Sequence, residues 1–234
     1  MPSSASHVGP RLEQVRARIA QACRRAHRDP ASVTLIAVTK GVPSEAIQEV
    51  VRLGATDLGE NRVQEALAKQ ESLGRQAGNV RWHLIGQLQR NKAKHVVGRF
   101  ALVHSVDNVE LVQALETQAA KRGADSQDVL IQVNVSGEAT KGGCRPRDVE
   151  PLIQTSMTAL HLRLAGFMTL APYSDDPEAA RPVFRQLREL RDRIQAGMTH
   201  RLQLSMGMSG DFEAAIEEGA DWVRIGTAIF GTQG

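Results

Sequence analysis

The sequence predicts an α/β fold, a single (β/α)8 TIM barrel preceded by one extra helix. Three observations carry this expectation. Short, apolar, β-branched runs alternate with helical patterns eight times along the chain. The connections are short, and no shift in composition marks a second domain. The first strand ends in Thr39, Lys40 and Gly41, not in the GxGxxG turn that an open doubly wound sheet would favour. Alternating strands and helices imply a parallel sheet with right-handed crossovers, and eight repeats within 234 residues suggest closure into a barrel.

Each element has its own signal. Residues 11–27 carry Leu12, Val15, Ile19, Cys23 and Ala26 at helical spacing, so this Arg-rich stretch reads as a packing helix in preference to a transit peptide. The run 33–39 (VTLIAVT) is the first strand, and a helix follows from Ser44 to its terminator Gly54. Residues 56–58 form a brief second strand before a helix over 62–73. Residues 81–85 (RWHLI) are the third strand, with a helix expected over 87–97. Residues 101–106 (ALVHSV) precede a helix over 108–122. The run 129–135 (VLIQVNV) is the clearest strand, and Pro146 opens the helix after it. The sixth strand lies within 162–170, and Pro177 opens a long helix to Ala196. Strands at 202–206 and 222–225 flank a helix over 211–218, and a short terminal helix ends the chain.

Hydrophobic residues at 41% supply a core for one domain of this size, and aromatics at 3% make that core aliphatic. A flexible tail is expected over 1–10 and the barrel over 11–234. The formal charge of +3 comes from 29 basic residues mixed with 26 acidic ones. No basic block interleaves with stacking aromatics, which argues against nucleic acid as a partner. The two cysteines, Cys23 and Cys144, stand apart, so neither a zinc site nor a CxxC pair is present in the sequence. Two isolated thiols, a polar start without an apolar signal region, and no membrane-length apolar run point to a cytoplasmic protein with no membrane partner.

In such barrels the chemistry sits at the C-terminal ends of the strands. Those ends carry Lys40, Glu60 and Asn61, His83 and Gly86, Ser105 and Asp107, Asn134, Met168, Ser205 with Ser209, and Arg224 with Gly226 and Thr227. Lys40 follows a strongly apolar strand. Partial desolvation there would make its amine the nucleophile that Schiff-base chemistry with an aldehyde needs. A lysine snorkelling to solvent fits the position equally well.

The loops 205–212 (SMGMSGDF) and 224–231 (RIGTAIFG) place small residues at helix starts, where backbone N–H groups favour a phosphate. The simpler roles are an N-cap for Ser209 and a tight turn for Gly226. Asp211 and Glu213 put negative charge into the first of these helices, so the second loop is expected to hold more of the anion. Arg224 on a buried strand needs an acceptor, which a pyridine nitrogen or a carboxylate would supply. An ion pair with Asp221 competes. Asn61 stands three residues before Gln64, which reads as a capping box. His83 fits a catalytic base or, more simply, a satisfied core histidine.

Several blocks, in order, resemble one family. They are LIAVTKG (35–41), LGENRVQEALAK (58–69), WHLIGQLQRNKAK (82–94), HSVDN (104–108), QVNVSGEATKGG (132–143), GFMTLAP (166–172) and SMGMSGDFEAAIEEGADWVRIGTAIFG (205–231). Together they resemble the pyridoxal phosphate homeostasis proteins, the YggS/PROSC group. The resemblance implies a barrel similar to the N-terminal domain of alanine racemase, holding pyridoxal 5′-phosphate (PLP) on Lys40. It implies Ser209 as a phosphate ligand, Arg224 beside the ring nitrogen, Gly226 and Thr227 cradling phosphate through their N–H groups, and Asn61 lining the pocket. The implied role is to bind, buffer and deliver the cofactor to apo PLP-dependent enzymes, as a monomer and with little catalysis. A PLP-dependent racemase of low activity is the alternative. It is weakened by the need for a second acid/base, for which only Tyr173 is on offer. A lysine aldolase acting on a sugar phosphate is a further one.

Overall fold

The computed structural model describes residues 7–123, 126–138 and 140–232. Eight parallel strands close into a barrel in sequence order. They are β1 (Thr34–Val38), β2 (Asp57–Glu60), β3 (Arg81–Leu84), β4 (Leu102–Val106), β5 (Gln127–Gln132), β6 (Leu162–Met168), β7 (Gln203–Ser205) and β8 (Trp222–Ile225). Closure runs from Thr34 opposite Trp222 to Ala37 opposite Ile225. One glycine is obligatory in this wall. A Cβ on Gly166 would lie 1.9 Å from the carbonyl oxygen of Gln203, and its φ of +148° disfavours any side chain.

Outside the strands lie α1 (Val8–Arg25), α2 (Ser44–Arg52), α3 (Val63–Leu73), α4 (Val109–Arg122), α5 (Val149–Thr158), α6 (Arg181–Gln195), α7 (Phe212–Glu217) and α8 (Thr227–Phe230). The main core fills the space between this layer and the barrel and is largely aliphatic, with Trp82 and the phenylalanines among its members. A second, small apolar group of Leu102, Leu130, Ala165 and Met168, flanked by Leu170 and Trp222, is separate from it. His104 of β4 bonds Ser205 of β7 at 2.8 Å, a contact between non-adjacent strands that runs through the barrel interior. Its ring also meets that of Trp222, 6.0 Å between centroids. The interior is therefore partly polar, and most of the hydrophobic stabilisation comes from the outer layer.

The extra helix α1 packs against α2, α7 and α8 through Val8, Leu12, Val15, Ile19, Ala22 and Cys23. Its basic side is tied to α7. Arg18 pairs with Glu213 at 3.3 Å and Arg25 with Glu217 at 2.6 Å, and Arg28 donates to the carbonyls of Ile216 and Ala220 at 2.8 Å each. The helix begins at Val8, which is buried, so residues 8–10 belong to it and not to a flexible tail. The rest of that expected tail, 1–6, lies outside the described residues.

Two elements depart from expectation. The helix expected over 87–97 is a 3-10 segment, Arg90–His95. Its bonds include the i→i+3 pairs Lys92 N to Gln89 O at 2.9 Å and Val96 N to Ala93 O at 3.0 Å. Its buried residues Ala93 and Val96 stand three apart, the repeat a 3-10 turn prefers. The β5 strand ends at Gln132, three residues earlier than the apolar run suggests. Beyond it the chain folds back, and Cys144 N bonds Gln132 O at 3.0 Å while Asn134 N bonds Cys144 O at 2.8 Å.

Leu12→Ala is expected to lower unfolding free energy by about 2–5 kcal/mol, because it leaves a cavity between α1 and the barrel. Leu160, 84% exposed, supplies the control. Leu160→Ser should stay within about 0.5 kcal/mol of the parent in the same urea titration.

Candidate functional site

A cavity of about 690 Å³ opens at the C-terminal ends of the strands, within the size range of small-molecule sites. Lys40, Asn61, Ser209, Arg224, Gly226 and Thr227 all line it. The wall also includes Gln132 and Tyr173.

Arg224 sits in this wall with 4% of its surface exposed. Its Nη1 donates to Ser205 Oγ at 2.6 Å and its Nη2 to the Thr169 carbonyl at 2.9 Å. The competing partner, Asp221, is engaged elsewhere: Arg201 reaches it at 2.7 Å and Arg28 at 3.8 Å, and it accepts from Leu204 N at 2.8 Å. Burial pulls the guanidinium down to about 10, while the charge of Asp211 acts in the opposite sense. It stays a cation at neutral pH. Two of its five N–H groups meet acceptors among the described residues, which leaves donors for an acceptor in the cavity.

Lys40 lies in the turn after β1 and is exposed. Protein atoms alone therefore do not desolvate it as its position in the sequence suggested. Its neighbour Thr39 is fully buried and held from three sides. Thr39 N bonds Gly59 O at 3.0 Å, its hydroxyl donates to Glu60 Oε1 at 2.5 Å, and Lys69 Nζ donates to its carbonyl at 2.6 Å. Lys69 also pairs with Glu60 at 2.6 Å, so this second lysine is tied into the frame. Among the described residues Lys40 is the lysine in the cavity wall.

The loops after β7 and β8 are joined through Ser209. Its Oγ accepts from Gly226 N and Ala228 N at 3.3 Å each. Ser209 is thus not the N-cap of α7; Asp211 holds that position, and its Oδ1 accepts from Met208 N at 2.5 Å. Burial raises the Asp211 pKa, while the bond from Met208 N and the charge of Arg224 act in the opposite sense. Glu213 is engaged by Arg18 on the outer side. The negative charge that Glu213 was expected to bring against an anion is thereby countered by Arg18.

Asn61 does not form the expected capping box. The α3 N-cap is Arg62, and no side chain caps it. Asn61 instead backs onto Gly86, where a Cβ would lie 2.3 Å from the Asn61 carbonyl oxygen. The other strand-end residues serve the frame. Ser105 donates to Gly86 O at 2.7 Å. Asn134 donates to the carbonyls of Glu138 and Lys141 at 2.9 and 3.0 Å, folding its loop. Met168 belongs to the interior apolar group.

His83 is buried away from the cavity wall, between Asp57 and His104 at 2.8 and 3.0 Å. Burial pushes the Asp57 pKa up, but hydrogen bonds from His83, Arg81 and Thr56 outweigh it and hold the carboxyl at about 2. The sequence reading missed Asp57 and His104. The inward alternation of His83 and His104 on successive strands was the available signal.

The arrangement is that of a barrel with a lysine at its rim and an arginine in its wall. It defines the class of the alanine racemase N-terminal domain, whose family pattern the chain matches over residues 11–234. An alanine racemase from Clostridium difficile shares the fold, with a TM-score of 0.72 at 15% identity over 96% of this chain and 55% of that one. Closer similarity is found elsewhere. The pyridoxal phosphate homeostasis protein of Aquifex aeolicus is 46% identical over 94% of this chain and 96% of its own length. That of Pseudomonas aeruginosa is 43% identical over 97% and 96%. The chain belongs to the pyridoxal phosphate homeostasis protein family. PipY of Synechococcus elongatus, solved with PLP bound, superimposes with a TM-score of 0.83 at 35% identity, over 96% of this chain and all of that one (100%).

The depressed Asp57 pKa has a consequence for stability. The folded value lies below the unfolded one, so its contribution is present above pH ~4 and is lost as the pH falls towards about 2. Asp57→Asn is expected to remove about 2 kcal/mol at pH 7 and to flatten the acid limb of the stability curve, read by urea unfolding at a series of pH values.

Proposed function

We propose that this protein binds PLP in the 690 Å³ cavity and acts as a carrier that buffers the cofactor and delivers it to apo PLP-dependent enzymes. One observation carries the reading: Lys40, buried Arg224 and the Ser209–Gly226 loop pair share one cavity, in a chain whose relatives are PLP homeostasis proteins. When bound, PLP supplies an aldehyde for covalent attachment to an amine and a ring that withdraws electrons.

The residues fit that group. Lys40 is the covalent anchor, and Arg224 presents its remaining N–H groups to the ring nitrogen. Ser209 offers a hydroxyl to the phosphate, Gly226 and Thr227 offer backbone N–H groups, and Asn61 lines the ring's surroundings. The two N–H bonds to Ser209 are long, 3.3 Å, which favours their transfer to a stronger anionic acceptor.

Carriage is favoured over racemisation. Arginine only donates, so it keeps the ring nitrogen unprotonated and the electron sink weak. The tyrosine in the wall, Tyr173, is 88% exposed. Its hydroxyl bonds Asp175 at 3.1 Å, and that bond raises its pKa, which disfavours the phenolate that the base half of two-base chemistry needs. The proposal is of a monomeric carrier. Cys23 and Cys144 are free and buried, with burial pushing the Cys144 thiol up to about 12, in keeping with a reducing cytoplasm. No helix among the described residues is long and apolar enough to cross a membrane.

Borohydride reduction of the PLP-loaded protein followed by peptide mapping is expected to place the phosphopyridoxyl mass on Lys40. Lys40→Ala should lose that adduct and the visible absorbance with it. A stoichiometric adduct on another lysine in that variant would reassign the anchor, and a wild-type protein that takes up no PLP would end the proposal. Arg224→Ala is expected to weaken PLP binding at least about tenfold, the worth of one charge-assisted hydrogen bond, and to move the absorption maximum of the bound cofactor. Equilibrium dialysis and the visible spectrum check both.

A further inference from the structure

The barrel interior holds a line of polar side chains that pocket-lining alone does not explain. His83 Nε2 lies 2.8 Å from Asp57 Oδ1, and His83 Nδ1 lies 3.0 Å from His104 Nε2. His104 Nδ1 lies 2.8 Å from Ser205 Oγ, which accepts from Arg224 Nη1 at 2.6 Å. These residues come from β2, β3, β4, β7 and β8, and none is more than 4% exposed. Asp57 starts β2, at the opposite end of the barrel from the PLP cavity. There Arg81 pairs with it at 2.8 Å, and both line a second cavity of about 370 Å³. The line therefore runs through the barrel from one mouth to the wall of the other.

Its protons can be assigned from donor and acceptor chemistry. Arg224 only donates, so Ser205 Oγ is its acceptor. The Ser205 proton then needs an acceptor, and His104 Nδ1 supplies one. A bare Nδ1 puts the His104 proton on Nε2, which donates to His83 Nδ1. The His83 proton is then on Nε2 and donates to the Asp57 carboxylate. Every proton has an acceptor. Burial, then the neighbouring His83 and Arg224, hold His104 well below the ordinary imidazole range, in agreement with a neutral ring. The reversed order would aim two donors at Ser205 Oγ and leave its own proton without an acceptor in the interior, a costly state.

We propose that Asp57, His83, His104 and Ser205 form a one-directional hydrogen-bond relay that positions Arg224, fixing which of its N–H groups face the cavity. Asp57, His83, His104 and Ser205 are positioning residues; Arg224 is the group that meets the ligand. The consequence for PLP rests on the proposed function, but the relay is testable without it.

Side-chain ¹⁵N spectra of the ligand-free protein are the first reading. Both His83 and His104 are expected as neutral Nε2–H tautomers, and the buried Arg224 guanidinium as slowly exchanging resonances. Ser205→Ala, a small change at a strand end, should release the His104 tautomer and broaden or remove the Arg224 signals. His104 on its Nδ1–H form or charged, or Arg224 resonances unchanged in Ser205→Ala, would overturn the relay. The second reading is PLP titration of the same proteins. Ser205→Ala and His104→Leu should bind about tenfold more weakly, with a displaced absorption maximum. His104→Gln keeps one donor and one acceptor and should restore both the affinity and the spectrum. Wild-type affinity and spectrum in folded Ser205→Ala and His104→Leu would show that Arg224 needs no such support. A wild-type protein that binds no PLP would count against the proposed function alone, and the nitrogen spectra would still decide the relay.

Discussion

A charge inside a barrel is the constraint around which this molecule is arranged. Moving a guanidinium out of water is expensive unless its donors are met. Around Arg224 two of them are met by a hydroxyl and a carbonyl, and no carboxylate among the described residues pairs with it. Asp211 acts on it only at a distance, and burial still leaves it charged at neutral pH. The protein therefore stabilises the cation enough to fold and leaves donors over for whatever enters the cavity. A direct ion pair with Asp221 would have consumed that capacity. Asp221 is instead bound to Arg201, Arg28 and a backbone N–H on the far side.

That arrangement is tolerated because the barrel interior carries little of the hydrophobic burden. The large aliphatic core lies between the strands and the helices, with α1 sealing α2, α7 and α8. Inside, a small apolar group shares the space with Asp57, His83, His104 and Ser205. Buried polar groups that are fully paired add rigidity, and rigidity is what a recognition group such as Arg224 requires. The same principle governs Thr39, whose amide, carbonyl and hydroxyl are all engaged next to the exposed Lys40.

The fold was legible because strands buried on both faces leave continuous apolar runs, and helices leave a 3.6-residue repeat. Six of the strands overlap their expected spans closely, and β2 runs two residues past its expected end at Leu58. The eighth, β5, slides because the apolar run VLIQVNV continues past the point where Asn134 folds its loop back, and hydrophobicity does not mark that point. The segment after β3 misled for a related reason: Leu88, Ala93, Val96 and Val97 are buried, but their spacing serves a 3-10 turn. All six site residues expected from the sequence line the cavity, because strand-end positions follow from topology. What each does beyond lining it was less legible. Asn61 and Ser209 look like helix caps in one dimension, whereas the true partners of Ser209 lie on another loop. His104 was invisible as a functional group because its partners, His83 and Ser205, are 21 and 101 residues away.

The proposed carrier role asks for a site that recognises tightly yet lets go. Exposure and burial are divided accordingly. The groups expected to read ring and phosphate, Arg224 and the Ser209–Gly226 pair, are anchored to β8 and to each other. The proposed covalent anchor, Lys40, stands apart on an exposed turn past the end of β1. A bond made at such a lysine stays within reach of water or of a competing amine, so attachment is reversible by ordinary exchange. Were the positions exchanged, with the lysine deep and the arginine at the rim, exchange would require opening the barrel. In the proposed role, a buried donor such as Arg224 would keep the ring nitrogen unprotonated and add to the same end, since it would hold the cofactor without activating what is attached to it.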